Sequence, residues 1–365
     1  MSSARAAMDL GKRIERRLKR HIFGLVAGRP PAQPGSAAVD LGSVRRVLLV
    51  RANVRLGNLL LITPAIAALR QALPHARIDV LCDAAYGCLL TADPAVNDVV
   101  PINRRIMRNP VALARLVRRL WSTRYDLVVE CARGGSFLGA VLTRLSGGRL
   151  RVGSAEGRYG RFFNVQVPRG RRTHKVDLLL DLLAGIGVPP AGSDLRMVLT
   201  DEERAAAARR WESWGVPAGR PVIGVNLGGR GRKQWPIERF IDLTRRLGLV
   251  AGAHVALFGG PEERALQEYV AGSGLPEHTV VVPLVPVREF AALLAGCTVV
   301  VTADTGPMHL AAAVHTPTVV IARTAASANY APRTDRHRVV FAPDVERVLL
   351  AVADALGERA TSPAA

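Results

Sequence analysis

From Val44 onward, short apolar runs alternate with stretches whose apolar residues recur at helical spacing. "RRVLLVR" predicts a strand, followed by a tight turn at Gly57 and a helix over Leu59–Ala72. "RIDVLC" and "DVVPI" predict the next strands, "PVALARLVRRLW" a helix, "YDLVVEC" a strand, "GSFLGAVLTRL" a helix and "LRVGS" a strand. This alternation predicts an α/β sheet of parallel strands covered on both faces. The basic stretch "VQVPRGRRTHKVD" breaks the rhythm, and "KVDLLLDLLAGIG" resumes it as a helix.

After "VPPAGSD", which reads as a crossing between domains, and a helix over Asp201–Trp214, the alternation starts again. "PVIGVNLGG", "HVALFGG", "HTVVVPL", "TVVVTAD" and "TPTVVIA" predict strands. "PIERFIDLTRRLG", "PEERALQEYVAG", "VREFAALLAGC" and "GPMHLAAAV" predict the helices between them, and "VERVLLAVADALG" a last one. Two facing Rossmann-like, doubly wound domains with an interdomain cleft are the economical architecture. The expected divisions are 1–43, 44–190, 191–345 and 346–365.

Residues 1–43 follow another pattern. Ile14, Leu18, His21, Ile22 and Leu25 fall at helical spacing among Lys12, Arg13, Arg16, Arg17, Lys19 and Arg20, and "GRPPAQPGS" reads as a flexible linker. Such a helix suits the surface of an anionic membrane, although a solvated tail has the same pattern. No apolar run approaches the roughly 20 residues of a membrane span. The N-terminus also lacks the uninterrupted apolar core of a secretory signal.

Composition narrows the partners. The chain has 365 residues and a formal net charge of +20, which predicts anionic company. Aromatic residues make up only 5% and no nucleic-acid reader motif is present, so phosphorylated small molecules or lipid headgroups are favoured over nucleic acid. Cys82, Cys88, Cys131 and Cys297 show no C-x-x-C pairing and lie in or beside apolar runs. They read as reduced thiols of a cytoplasmic protein.

Candidate chemistry collects at three strand ends of the second domain. In "VVVTADTGPMHLAAAV" a buried strand ends at Asp304-Thr305-Gly306, and Pro307 opens a helix. Backbone N–H groups and the positive end of that helix make an anion pocket, to which Thr305 and His309 can contribute. A capped helix without ligand, with Asp304 or Thr305 as the cap, fits the same residues. In "GVNLGGRGRKQWPIERF", Gly228 and Gly229 precede bunched cations, and Lys233 can act as a point charge on a leaving group. In "ALFGGPEER", Glu262 or Glu263 can hold ribose hydroxyls. These signals describe a nucleoside-diphosphate site. The P-loop pattern and the G-x-G-x-x-G fingerprint are both missing.

"VLLVRANVRLGNLLLITPAIAALRQALPHARIDVL", "RKQWPIERF", "FGGPEER" and above all "DTGPMHLAAAVHTPTVVIA" resemble the ADP-heptose:lipopolysaccharide heptosyltransferases, glycosyltransferase family 9. The resemblance spans Val44 to Arg323. It implies the GT-B arrangement and an inverting sugar transfer, with the first domain binding the acceptor and the second the nucleotide-sugar. It further implies that Asp304, Thr305, Gly306 and His309 hold the donor diphosphate, that Lys233 faces the departing ADP and that Glu263, or Glu262 beside it, takes the ribose. Gly228 and Gly229 stand where some members carry hydroxyl residues. The implied acceptor is a phosphorylated lipid A core, which Arg51, Arg55, Arg133, Arg161 and Lys175 could meet. Another sugar nucleotide on another glycan, or a nucleotide-sugar-binding protein of weak turnover, would share these features.

At one position the chain departs from the resemblance. The family's proposed base is an aspartate where this chain has Asn58, and an amide accepts no proton near neutral pH. Glu130, at the end of "YDLVVE" and expected to face the cleft, is the first substitute, and Asp83 the second. Alternatively the acceptor supplies its own base, with Asn58 orienting the hydroxyl or capping the helix. No Asp-x-Asp motif lies in a suitable loop, so leaving-group stabilisation without a metal is expected.

Overall fold

The computed structural model describes residues 39–361 except 53–54, 104, 133–135, 157–158, 230 and 251. The expected basic amphipathic segment therefore lies outside the described residues. The first half runs β1 (Arg46–Arg51), α1 (Leu56–Leu60), α2 (Thr63–Ala72), β2 (Arg77–Asp83), β3 (Asp98–Ile102), α3 (Pro110–Thr123), β4 (Leu127–Glu130), α4 (Phe137–Leu145), β5 (Leu150–Ser154), β6 (Val165–Val167) and α5 (Lys175–Ala184). The second runs α6 (Asp201–Ser213), β7 (Val222–Asn226), α7 (Ile237–Leu247), β8 (His254–Phe258), α8 (Arg264–Ala271), β9 (Thr279–Val281), α9 (Val287–Gly296), β10 (Val299–Ala303), α10 (Gly306–Ala313), β11 (Thr318–Ala322), β12 (His337–Phe341) and α11 (Val345–Thr361).

The strands form two six-stranded sheets, ordered β3-β2-β1-β4-β5-β6 and β12-β11-β10-β7-β8-β9. Neighbouring strands are parallel throughout both sheets. The two orders are the same doubly wound pattern, with the chain reversing direction beside β1 in one sheet and β7 in the other. The central strands are buried along nearly their whole length, as parallel strands covered by helices require. Local signals start the helices: Ser136 accepts from Gly139 N before α4, and Thr200 and Glu203 form a capping box before α6.

Three local expectations are corrected. The single helix over Leu59–Ala72 is two, because Pro64 cannot continue α1 and instead occupies the first turn of α2. Gly57 is a helical residue in α1 and makes no tight turn. Its bare Cα permits a close approach: an added Cβ would lie 2.2 Å from Cδ2 of His309. The strands β6 and β12, which the apolar pattern did not reveal, complete the outer edges of the two sheets.

The halves are joined by packing as well as by chain. Helix α1 packs on α10, and one apolar cluster runs through Leu61, Ile62, Leu195, Leu310 and Ala311. Arg288 donates from Nη1 to Cys88 O at 2.7 Å and from Nη2 to Val198 O at 3.0 Å, while pairing with Glu203. Arg196 donates its backbone N–H to Thr63 Oγ1 and its guanidinium to Asp93. These contacts set the width of the cleft that the two carboxyl-end edges enclose.

Candidate active site

The cleft has a volume of about 1270 Å³ and is walled by both halves. Arg51, Arg55, Asn58 and Lys175 stand on one side; Gly228, Gly229, Lys233, Glu263, Asp304, Thr305, Gly306 and His309 stand on the other. The walls are built at the ends of β1 and β4 and of β7 and β10, where each sheet changes winding direction and leaves a crevice for ligand.

At the end of β10, Asp304 is buried, with only 4% of its side chain exposed, and receives Lys233 Nζ on Oδ2 at 2.7 Å. The same ammonium donates to Asp304 O at 3.1 Å. An ammonium has three donors, so this grip leaves one N–H for a ligand and fixes the charge in place. Asp304 thus meets an anion through Lys233; its own carboxylate would repel a phosphate. Helix α10 then opens at Gly306, with Pro307 in its first turn and no side-chain cap from Thr305, whose hydroxyl donates instead to Ala303 O at 3.3 Å. The capped-helix alternative does not hold, and the first amides of α10 remain for an anion.

His309 lies in the first turns of α10, buried against Gly57. Burial lowers its imidazole to about 4, against a partly opposing effect of Asp304, so the ring is neutral at ordinary pH. Its Nδ1 is buried without a hydrogen-bond partner. Gly229 is required by close approach, since a Cβ there would lie 2.9 Å from Gln234 Cα. That turn delivers Lys233, and the following Trp235 is anchored by a bond from Nε1 to Pro343 O at 3.3 Å and by edge packing on Phe240. Glu263 accepts the Gly260 N–H at 3.0 Å and lines the cleft, whereas Glu262 is exposed and lies outside the lining.

On the opposite wall, Asn58 sits inside α1 with its side chain half-buried at the cleft. It is not a helix cap, because Arg55 occupies that position. Arg51 is largely committed to the fold, donating from Nε to Asn58 O at 2.9 Å and from Nη1 to Cys131 O at 2.5 Å. Burial lowers its pKa, opposed by nearby Cys131 and Glu130. Arg55 is exposed on the cleft, Arg161 lies in a short turn outside the lining, and Arg133 is outside the described residues. Arg232, one of the bunched cations after Gly229, also lines the cleft, as do Arg169 and Tyr330, which sequence reasoning had not selected. The basic run around Arg169 is visible in the sequence, but nothing local distinguishes a cleft cation from a surface one.

The expectation that Glu130 faces the cleft is corrected. It is 0% exposed, its Oε1 accepts the Ala132 N–H at 3.0 Å, and it lies against α4 at Gly139. The strand end turns its carboxylate into the following loop and away from the ligand space. Asp83 is likewise turned inward, accepting from Ala85 N at 3.0 Å. The carboxylates lining the cleft among the described residues are Glu263 and Asp304, both already engaged. Among the described residues, no group of three His, Cys, Asp or Glu side chains could hold a metal ion.

Two doubly wound sheets face a cleft with an ammonium and an uncapped helix start on one wall, an arrangement suited to a phosphate-linked ligand. Comparison with known proteins makes the class definite. Residues 113–348 match the model of glycosyltransferase family 9 (heptosyltransferase), and the chain belongs to that family. It is 26% identical over 295 residues to lipopolysaccharide heptosyltransferase 1 of Escherichia coli K12, covering 76% of this chain and 87% of the relative. It is 29% identical to the enzyme of the same description from Pseudomonas aeruginosa, covering 75% and 77%. In structure it is similar to a family 9 glycosyltransferase from Veillonella parvula, with a TM-score of 0.79, 21% identity and 86% and 97% coverage. It is also similar to an E. coli heptosyltransferase solved with ADP, with a TM-score of 0.69, 22% identity and 85% and 99% coverage. The chain is therefore a glycosyltransferase of the GT-B fold.

Proposed function

We propose that the chain transfers heptose from ADP-heptose, with inversion, to an anionic lipopolysaccharide core acceptor. The observation that carries this reading is the Lys233–Asp304 pair, set at the opening of α10 and facing a basic wall across the cleft. The similar lipopolysaccharide heptosyltransferases, one of them solved with ADP, support the same choice of donor and acceptor.

In the reaction the acceptor hydroxyl attacks the anomeric carbon while the bond from that carbon to the diphosphate oxygen breaks. Negative charge grows on the departing diphosphate. Lys233 and the first amides of α10 meet it, and Glu263 is placed for ribose hydroxyls. No metal or other cofactor is needed for this stabilisation. Arg55 and Arg169 offer charge to the acceptor's anionic groups.

Among the described residues, no open carboxylate lines the cleft to receive the proton. Asp304 is paired with Lys233, Glu263 with an amide, and Glu130 is fully buried. An anionic group of the acceptor itself takes the proton, and Asn58 orients the hydroxyl. The basic N-terminal segment would keep the enzyme on the cytoplasmic face of an anionic membrane, a reading supported by its sequence alone. Among the described residues no helix is long and apolar enough to cross a membrane.

The test is ADP release from ADP-heptose with and without a lipid core acceptor. Acceptor-dependent release is expected. Donor binding without such turnover would make the chain a nucleotide-sugar-binding protein.

A further inference from the structure

Resting on that reading of the cleft, we propose that Lys175 belongs to the donor diphosphate site rather than to the acceptor site. In this arrangement Tyr330 is the positioning residue that holds Lys175 and Lys233 to a single anion. The observation is a shared ring. Lys175 Nζ lies 5.4 Å and Lys233 Nζ 5.8 Å from the centroid of Tyr330. The two lysines come from different halves of the molecule, Lys175 from the first residue of α5 and Lys233 from the turn after β7. All three residues line the cleft.

An aromatic face attracts an ammonium through its quadrupole but cannot neutralise it. Two ammonium groups gathered at one ring also repel each other. Asp304 balances Lys233 at 2.7 Å. The acid nearest to Lys175 along α5, Asp177, is occupied by Arg333 at 2.8 Å. The cluster therefore keeps a positive charge that a diphosphate, with its two linked phosphoryl groups, is suited to offset. That demand grows as the sugar–oxygen bond breaks and charge collects on the leaving group.

The ring is held in place from across the cleft. His174 donates from Nε2 to Ala331 O at 3.0 Å, and its Nδ1 accepts from Val176 N at 3.4 Å at the start of α5. Arg333 reaches Asp177 on the same helix turn. Tyr330 to Arg333 thus dock on His174 to Asp177, and the docking sets Tyr330 against Lys175. The segment carries the position of a first-half lysine to the Lys233 side of the site. The aromatic face does this work; the hydroxyl is not required.

The test measures binding of ADP and of inorganic pyrophosphate by calorimetry, together with KM for donor and acceptor. Lys175→Met is expected to weaken both ligands about tenfold, the scale for losing a hydrogen bond to a charged group, and to raise the donor KM while leaving the acceptor KM unchanged. Tyr330→Phe is expected to behave as wild type, and Tyr330→Leu to reproduce the Lys175→Met loss. Unchanged ADP and pyrophosphate affinity in Lys175→Met, with a raised acceptor KM, would overturn the assignment and return Lys175 to the acceptor. A Tyr330→Leu variant equal to wild type would remove the positioning role. If wild-type protein binds neither ligand, the parent reading of the cleft falls as well, so the two failures are distinguishable.

Discussion

Lys233→Ala is expected to lower turnover about 100-fold or more, the scale for removing a preorganised electrostatic stabiliser of developing charge. The loss should fall mainly on kcat, because the need for the ammonium is greatest when the diphosphate departs. Asp304→Asn should reproduce part of it. The amide can still accept from Lys233 Nζ, now 2.7 Å from the carboxylate, but no longer fixes it by charge. Steady-state kinetics with saturating acceptor read both variants. Unchanged turnover in Lys233→Ala would remove the assigned role, and with it the reason for the buried aspartate at the end of β10.

The second large effect concerns the proton. If the acceptor supplies the base, an acceptor stripped of its phosphate and carboxylate groups should be transferred about 100-fold more slowly by the wild-type chain, a typical share for general-base catalysis. Asn58→Asp should then restore much of that rate, because it places a carboxylate on the cleft wall where the amide now stands. Glu130→Gln serves as the control. Its fully buried carboxylate accepts a backbone N–H that a glutamine oxygen can also accept, so transfer should be retained. Equal rates with stripped and intact acceptor would show that the proton goes elsewhere. Loss of transfer in Glu130→Gln with ADP binding intact would return the base to Glu130.

Much of this was legible because the strongest signals are local. A buried strand running into Asp304-Thr305-Gly306-Pro307 sets both the strand end and the helix start, and the structure has β10 and α10 there. What the pattern missed has physical reasons. The edge strands β6 and β12 are short or only half-buried, so their apolar alternation is faint. Pro64 divided a helix whose periodicity continues through the break. Glu130 looked like a cleft residue because it ends a central strand, but the loop beyond decides where such a side chain turns. Tyr330 is a lone aromatic in a polar loop. The fold of the second half brings it to Lys233, and only the docking of one half on the other brings it to Lys175.

The central claim is that the second half grips a diphosphate between the start of α10 and the ammonium of Lys233. Calorimetric titration of the full chain with a panel of nucleoside diphosphates tests it most directly. Saturable binding with ADP preferred, clearly weakened in Lys233→Ala, is the predicted result. No heat of association with any member at millimolar concentration would contradict it.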